Sequence, residues 1–257
     1  MTDWTGRFVW YELMTTDIAG ARDFYTKVVG WEAKDSHMSG MEYWMFHAGS
    51  EGIGGMMTLP EEAKAMGAPP HWLGYVAVKD VDASAAQVTA ASGRIYVPPT
   101  DIPNVGRFAV VADPQGAVIA LFKGSMEAPP ETSNPMETAG HVGWHELYAA
   151  EWSSAFDFYA KLFGWVKKDA MDMGPAGTYQ IYGTPDVTLG GMMNKIPEMP
   201  VPNWSYYFNV GNIDEAVDRV KAGGGQVIMG PMEVPGGGFV IKGIDPQGAH
   251  FSLFGSR

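Results

Sequence analysis

The chain repeats itself. Trp10-Tyr11-Glu12-Leu13 returns as Trp144-His145-Glu146-Leu147, and Phe24-Tyr25-x-Lys27-x-x-Gly30-Trp31 returns as Phe158-Tyr159-x-Lys161-x-x-Gly164-Trp165, both at an offset of 134 residues. Gly54-Gly55-Met56-Met57 comes back as Gly190-Gly191-Met192-Met193, and Asp113-Pro114-Gln115-Gly116-Ala117 as Asp245-Pro246-Gln247-Gly248-Ala249. The offset changes slightly between these pairs, which places insertions in loops. A fold built on this sequence must accommodate a tandem duplication. Between the copies, the stretch 124–140 holds Pro129, Pro130 and Pro135 among small and acidic residues and reads as a semi-extended linker. The two domains are expected at 1–128 and 129–257.

A smaller rhythm runs inside each copy. Residues 8–15 alternate as a strand does, and Asp17 then caps a helix with Ile18, Ala21, Phe24 or Tyr25, and Val28 at helical spacing, ended by Gly30. Strands are expected at 43–47 and 53–58. The rhythm restarts with a strand at 73–78 and a helix over about 81–91 ended by Gly93. Strands at 94–98, 107–112 and 118–122 follow, the last after the Asp-Pro-Gln-Gly turn. The second copy predicts helices near 153–163 and 213–222. Each copy thus contains two β-α-β-β-β units, and the whole is expected to be α+β, with mixed, curved sheets enclosing a cavity in each domain.

Composition removes several classes of function. With 46% hydrophobic and 12% aromatic residues the chain is core-forming rather than disordered, and zero cysteines exclude disulfides, thiolate metal sites and a cysteine nucleophile. The net charge of −12 argues against nucleic acid and mildly favours a neutral or cationic ligand. Both halves share the acidic excess, so a solvated acidic surface accounts for it. The first residues lack a signal-peptide pattern, and no run approaches the roughly 18 apolar residues of a membrane span. A cytoplasmic protein is expected, with no membrane partner. The glycine clusters 223–225 and 236–238 do not open a helix after a strand, so nucleotide binding is not expected. No Gly-x-Ser-x-Gly elbow is present.

The doubled Phe-Tyr-x-x-x-x-Gly-Trp segment and the doubled Asp-Pro-x-Gly turn resemble the vicinal oxygen chelate superfamily, which includes glyoxalase I, extradiol dioxygenases and bleomycin resistance proteins. The resemblance covers nearly the whole chain and is nearest to tandem two-domain glyoxalase-like proteins. It implies a cavity per domain. In members that use a metal it implies His, Gln or Glu on the cavity face of the first and last strand of each unit. Carried over by register, those positions are Trp10, Met56, Leu73 and Ala120 in the first domain and Trp144, Met192, Ser205 and Ser252 in the second. None offers the imidazole or carboxylate donors a divalent ion needs, so no metal or other cofactor is expected. His141 and His145 do not repair this, because four residues of strand span about 13 Å at roughly 3.3 Å each. The remaining histidines are expected in structural or surface roles.

Strand alternation extends the candidate ligand face to Trp10, Glu12, Met56 and Tyr75 in the first domain. In the second it comprises Trp144, Glu146, Met192, Ser205, Tyr207, Asn209, His250, Ser252 and Phe254. The aromatic and Met residues suit a flat organic ligand, but for any one of them core packing is the plainer expectation, and only the register of Trp10 and Trp144 with the ligand slots speaks against it. A small apolar or aromatic organic molecule is therefore the expected partner, held for sequestration or detoxification by a monomer or homodimer. The alternative is a metal-free acid–base enzyme of isomerase, lyase or hydrolase type. Glu146, its pKa raised by desolvation, would act there with Tyr207 and His250. Both glutamates are also open to a purely structural, hydrogen-bonding role. A metal-dependent glyoxalase or dioxygenase ranks last.

Overall fold

A computed structural model describes residues 3–38, 40–126, 135–136 and 138–257. The expected domain boundary at 128/129, and most of the expected linker, lie outside the described residues. The first repeat folds as β1 (Phe8–Thr15), α1 (Ile18–Val28), β2 (Glu32–Asp35), β3 (Tyr43–Ala48) and β4 (Glu51–Thr58). A short α2 (Glu61–Ala65) leads into β5 (His71–Ala77), α3 (Val81–Ala90), β6 (Arg94–Ile102), β7 (Gly106–Ala112) and β8 (Val118–Gly124). The second repeat gives β9 (Val142–Ala149), α4 (Trp152–Phe163), β10 (Val166–Asp172), β11 (Thr178–Gly183) and β12 (Thr188–Asn194). It continues with β13 (Asn203–Asn212), α5 (Ile213–Ala222), β14 (Gln226–Val234), β15 (Gly238–Ile244) and β16 (His250–Ser256). This is the expected α+β fold of four β-α-β-β-β units.

Each repeat makes one eight-stranded mixed sheet, in the orders β2-β3-β4-β1-β5-β8-β7-β6 and β10-β11-β12-β9-β13-β16-β15-β14. Inside a unit the first and last strands pair in parallel and the rest antiparallel. The parallel pairs are possible because a helix crosses over between the strands they join. Those helices start where the sequence offers a cap. Asp17 accepts from the Gly20 amide at 3.0 Å, and Glu151 accepts from the amides of Ser153 at 3.1 Å and Ser154 at 2.8 Å. The last contacts hold the Glu151 carboxyl down at about 2. Among the described residues no helix is long and apolar enough to cross a membrane.

Residue contacts divide the chain into two compact bodies that cut across the repeats. The first contains the described residues of Met1–Val9, Gly74–Thr132 and His145–Trp204, and the second those of Trp10–Leu73, Ser133–Trp144 and Ser205–Arg257. Each body therefore takes one unit from each repeat, and the doubled motifs explain why. In the second body the buried Tyr25 donates to Asp245 at 3.0 Å and accepts from Trp72 Nε1 at 2.9 Å, while Trp31 Nε1 donates to the Gly140 carbonyl at 2.6 Å. In the first body Tyr159 donates to Asp113 at 3.1 Å and accepts from Trp204 Nε1 at 3.2 Å, and Trp165 Nε1 donates to the Gly6 carbonyl at 2.6 Å. The Tyr of one repeat's helix thus ties to the Asp-Pro-Gln-Gly turn of the other. Trp72 and Trp204 are core residues. Around Tyr25 and Tyr159 the aromatic rings pack edge to face, as their quadrupoles favour.

Candidate functional site

Every unit has one sheet face covered by its helix and one helix-free face. Only the second can present side chains to a ligand. In the first unit of each repeat the Gly-Gly-Met-Met motif sets that face. Gly54 lies against the Tyr11 carbonyl and Gly190 against the His145 carbonyl, where a Cβ would collide with backbone. The next glycines, Gly55 and Gly191, lie beneath the rings of Tyr43 and Tyr179. Across the parallel pair Glu12 faces Gly55 and Leu13 faces Met56; likewise Glu146 faces Gly191 and Leu147 faces Met192.

That register corrects two expected ligand residues. Paired residues share a sheet face, so Met56 and Met192 go with the buried Leu13 and Leu147 on the helix side, where both are fully enclosed. The methionines on the glutamate side are their neighbours, Met57 opposite Met14 and Met193 opposite Tyr148. Placing Met56 and Met192 at the ligand slots put the β4 and β12 registers one residue out, and such a slip exchanges the faces.

Glu12 and Glu146 are both buried on the helix-free face. The Tyr43 hydroxyl accepts from Trp10 Nε1 at 3.0 Å and hydrogen-bonds the Glu12 carboxyl. Burial first, and then the neighbouring Glu12 charge, hold the Tyr43 phenol far above its usual range. Trp10 is half-buried and spreads over Gly52, so the structure brings Trp10, Glu12 and the unanticipated Tyr43 together. Trp144 shares the β9 face of Glu146 by alternation and is also half-buried. Tyr179, by its position over Gly191, is the counterpart of Tyr43. A tyrosine twelve residues before the second glycine of each Gly-Gly pair was the signal available in the sequence.

The second units carry different faces. In the first body, Tyr75 pairs with Ala120, which pairs with Val110, and the Tyr75 ring lies 6.3 Å from both Phe108 and Phe122. In the second body, Tyr207 pairs with Ser252, which pairs with Lys242. The Ser205 and Ser252 hydroxyls are 2.8 Å apart, and Lys242 Nζ lies 5.6 Å from the Tyr207 ring centroid. Phe254 flanks them on β16, its ring filling the space above Gly238. Lys242 lies on β15, which is neither the first nor the last strand of its unit. Asn209, on the same side, gives its Nδ2 to the carbonyls of Pro135 at 2.6 Å and Thr138 at 3.2 Å, so it secures the segment entering β9. His250 opens β16 exposed, opposite Ile244.

Other histidines have structural or surface surroundings. His145 is buried, stacks on Phe8 at 3.9 Å between ring centroids, and bonds the Leu189 carbonyl through Nδ1 at 2.7 Å. Burial pushes it down to about 4. His141 meets Glu51 at 3.0 Å, His71 bonds the Pro69 carbonyl at 2.8 Å, and His37 is exposed.

The profile of the Glyoxalase/Bleomycin resistance protein/Dioxygenase superfamily matches residues 7–121 and 138–253. The chain belongs to this superfamily. A relative named "Putative glyoxylase CFP32" from Mycobacterium tuberculosis is 34% identical over 248 residues, covering 95% of this chain and 92% of the relative. "Anthracycline biosynthesis protein DnrV" from Streptomyces peucetius is 30% identical over 278 residues, covering 96% and 92%. Among solved structures the 2,3-dioxygenase LapB from Pseudomonas sp. KL28 superposes with a TM-score of 0.67 at 16% identity, over 99% of this chain and 94% of that one. The Mn(II)-bound glyoxalase from Novosphingobium aromaticivorans gives 0.67 at 14%, over 99% and 83%. These last likenesses show the fold.

A superfamily fold of this kind raises the question of a divalent metal, and the side chains present do not fit one. Trp10, Leu73 and Ala120 offer no donor, and Ser205 and Ser252 offer hydroxyls already bonded to each other. Correcting β4 and β12 by one residue brings Met57 and Met193 to the face in place of Met56 and Met192, thioethers again. Among the described residues no three His, Asp or Glu side chains gather where they could hold an ion.

Proposed function

We propose that this superfamily member binds a small, flat, largely apolar or aromatic organic molecule without a metal, in a sequestering or detoxifying role. The observation that carries the reading is what stands on the helix-free faces at the positions a metal would need. They hold Trp10, Leu73 and Ala120, accompanied by Tyr75, Phe108 and Phe122. Aromatic faces and methionines such as Met14 and Met57 make adaptable walls for ring systems. The name of the Streptomyces relative, an anthracycline biosynthesis protein, supports a fused aromatic ligand. The test is equilibrium dialysis of the chelator-treated protein against 2-methoxy-1,4-naphthoquinone, with metal content measured beforehand. Saturable binding of chemically unchanged quinone at near-zero metal is expected. Stoichiometric copurifying metal, or binding only after Mn²⁺ is added, overturns it.

A second reading is favoured by one observation, the buried glutamate that both repeats place beside a glycine and under a tyrosine. Glu146 would then act as a metal-free acid or base. Quinone recovered chemically altered from the wild type, and unaltered from Glu146→Gln, would establish that reading over sequestration.

A further inference from the structure

A glycine has changed places between the repeats. The β3–β4 pairing skips Ile53, so that His47 lies opposite Gly52; the β11–β12 pairing skips Leu189 in the same way, and there Gly183 lies opposite Thr188. The frame is therefore complete with a glycine where the first repeat has His47, and with a side chain where it has Gly52. Nor does packing demand a glycine at position 52. A Cβ there would meet Trp10 Cζ3 at 3.5 Å, Trp10 Cη2 at 3.6 Å and His47 Nε2 at 3.9 Å, which are ordinary contacts, whereas one on Gly54 or Gly55 would collide. A strand glycine with no structural reason of its own marks a place where something else approaches the backbone.

The notch so formed is on the helix-free face of the second body. Met45 pairs with Gly55, which pairs with Glu12, and His47 and Trp10 each stand two residues away along their own strands. Gly52 is exposed between them, and both flanking rings are half-buried. His47 Nδ1 is buried without a hydrogen-bond partner, and among the described residues no group bonds Nε2. Glu32, opposite His47 on β2, is ion-paired with Lys34 at 2.9 Å. We infer that His47 and Trp10 form a ligand notch over Gly52, in which a flat ring lies against the indole and a carbonyl oxygen on that ring accepts from His47 Nε2–H. This rests on the reading that the helix-free faces hold a flat organic molecule, and it narrows that molecule to one bearing a carbonyl, such as a quinone or aryl ketone. A neutral imidazole carries one N–H, and a donor at the buried Nδ1 would be stranded, so the proton stands on Nε2. A protonated ring presents Nε2–H as well. Trp10 Nε1 is held by the Tyr43 hydroxyl at 3.0 Å, which steadies the indole as a wall. One fixed wall and one donor are enough to orient a ring.

The test follows two probes by equilibrium dialysis: 2-methoxy-1,4-naphthoquinone and 2-methoxynaphthalene, the same ring system without the carbonyls. His47→Leu is expected to weaken binding of the quinone roughly three- to tenfold, the range of one neutral hydrogen bond, and to leave binding of the naphthalene unchanged. His47→Gln, whose amide can bring an N–H close to the Nε2 position, should keep most of the quinone affinity. Gly52→Thr copies Thr188 of the second repeat and so leaves the frame intact; it should fill the notch and weaken both probes severalfold. Unchanged quinone affinity in His47→Leu, an equal loss of both probes there, or undiminished binding of both by Gly52→Thr overturns the inference and leaves the proposed function standing. If neither probe binds the wild type, the reading beneath it is overturned and the inference falls with it.

Discussion

The two bodies of this molecule share a frame and differ in their faces. Tyr25–Asp245 and Tyr159–Asp113 are the same tie made twice, and Trp72 and Trp204 donate to the two tyrosines in the same way. On the helix-free faces, by contrast, Val110 and Ala120 in the first body stand where the second has Lys242 and Ser252. A residue in the frame serves many partners at once and resists change, whereas a residue on such a face serves few. After a duplication the face is where the copies can diverge. The difference between the bodies therefore marks the chemistry more reliably than their likeness does.

The sharpest way to break this comparison is to move a face residue into the wrong body. Val110 is buried beside the fully enclosed Ala120, on the face that holds Phe108 and Phe122. Val110→Lys would leave an ammonium without a designed counter-charge in apolar surroundings, at a cost of about 3–5 kcal/mol. Urea unfolding at pH 7 measures it. A loss under about 1 kcal/mol would mean that the two faces are interchangeable and that Lys242 marks nothing.

The frame calls for the opposite result, equality. Asp113 accepts from the Gln115 amide at 2.8 Å, the Ala117 amide at 3.0 Å and the Tyr159 hydroxyl; Asp245 does the same for Gln247, Ala249 and Tyr25. Burial raises both carboxyls above their ordinary value despite these donors. Asp113→Ala and Asp245→Ala each strand several buried donors and should each cost about 3 kcal/mol. Unequal losses, one several times the other, would show that only one body depends on its tie.

Much of the fold is legible in the sequence. The repeats gave the four units, and helical spacing with Asp17 gave α1, because cap and periodicity are local signals. β2 escaped notice, since Glu32–Asp35 is short, mostly exposed and shows no apolar alternation. The exchange of units between repeats was not legible either. It depends on pairings such as Tyr25 with Asp245, which span more than two hundred residues and have no local signature. Met56 and Met192 were assigned to the wrong face because motif spacing fixes a register only to within a residue, and one residue decides the face. Glu12, Tyr75, Tyr207 and Ser252 were placed by simple alternation along strands whose register is anchored by buried neighbours.

The smallest effect concerns the one motif position at which the frame itself differs, Tyr11 against His145. Tyr11 contacts Tyr206 edge to face and stays neutral at any ordinary pH, its phenol raised further by burial. His145 has an ordinary value of 6.5, and burial lowers it to about 4 in the folded chain. Between those values the unfolded chain binds the extra proton and the folded chain does not. Its contribution to stability is thus complete above pH 6.5 and is lost as the pH falls toward 4. The linkage amounts to about 2 kcal/mol by pH 5, at roughly 1.4 kcal/mol per pH unit. His145→Phe keeps a ring against Phe8 but surrenders the bond to the Leu189 carbonyl, costing about 1 kcal/mol at neutral pH. The variant should therefore be the less stable protein at pH 7.5 and the more stable one at pH 5, measured by urea unfolding at both. Parallel pH profiles for the two proteins would mean that His145 does not titrate differently on folding. The Tyr11/His145 difference would then be one of packing, with no electrostatic consequence.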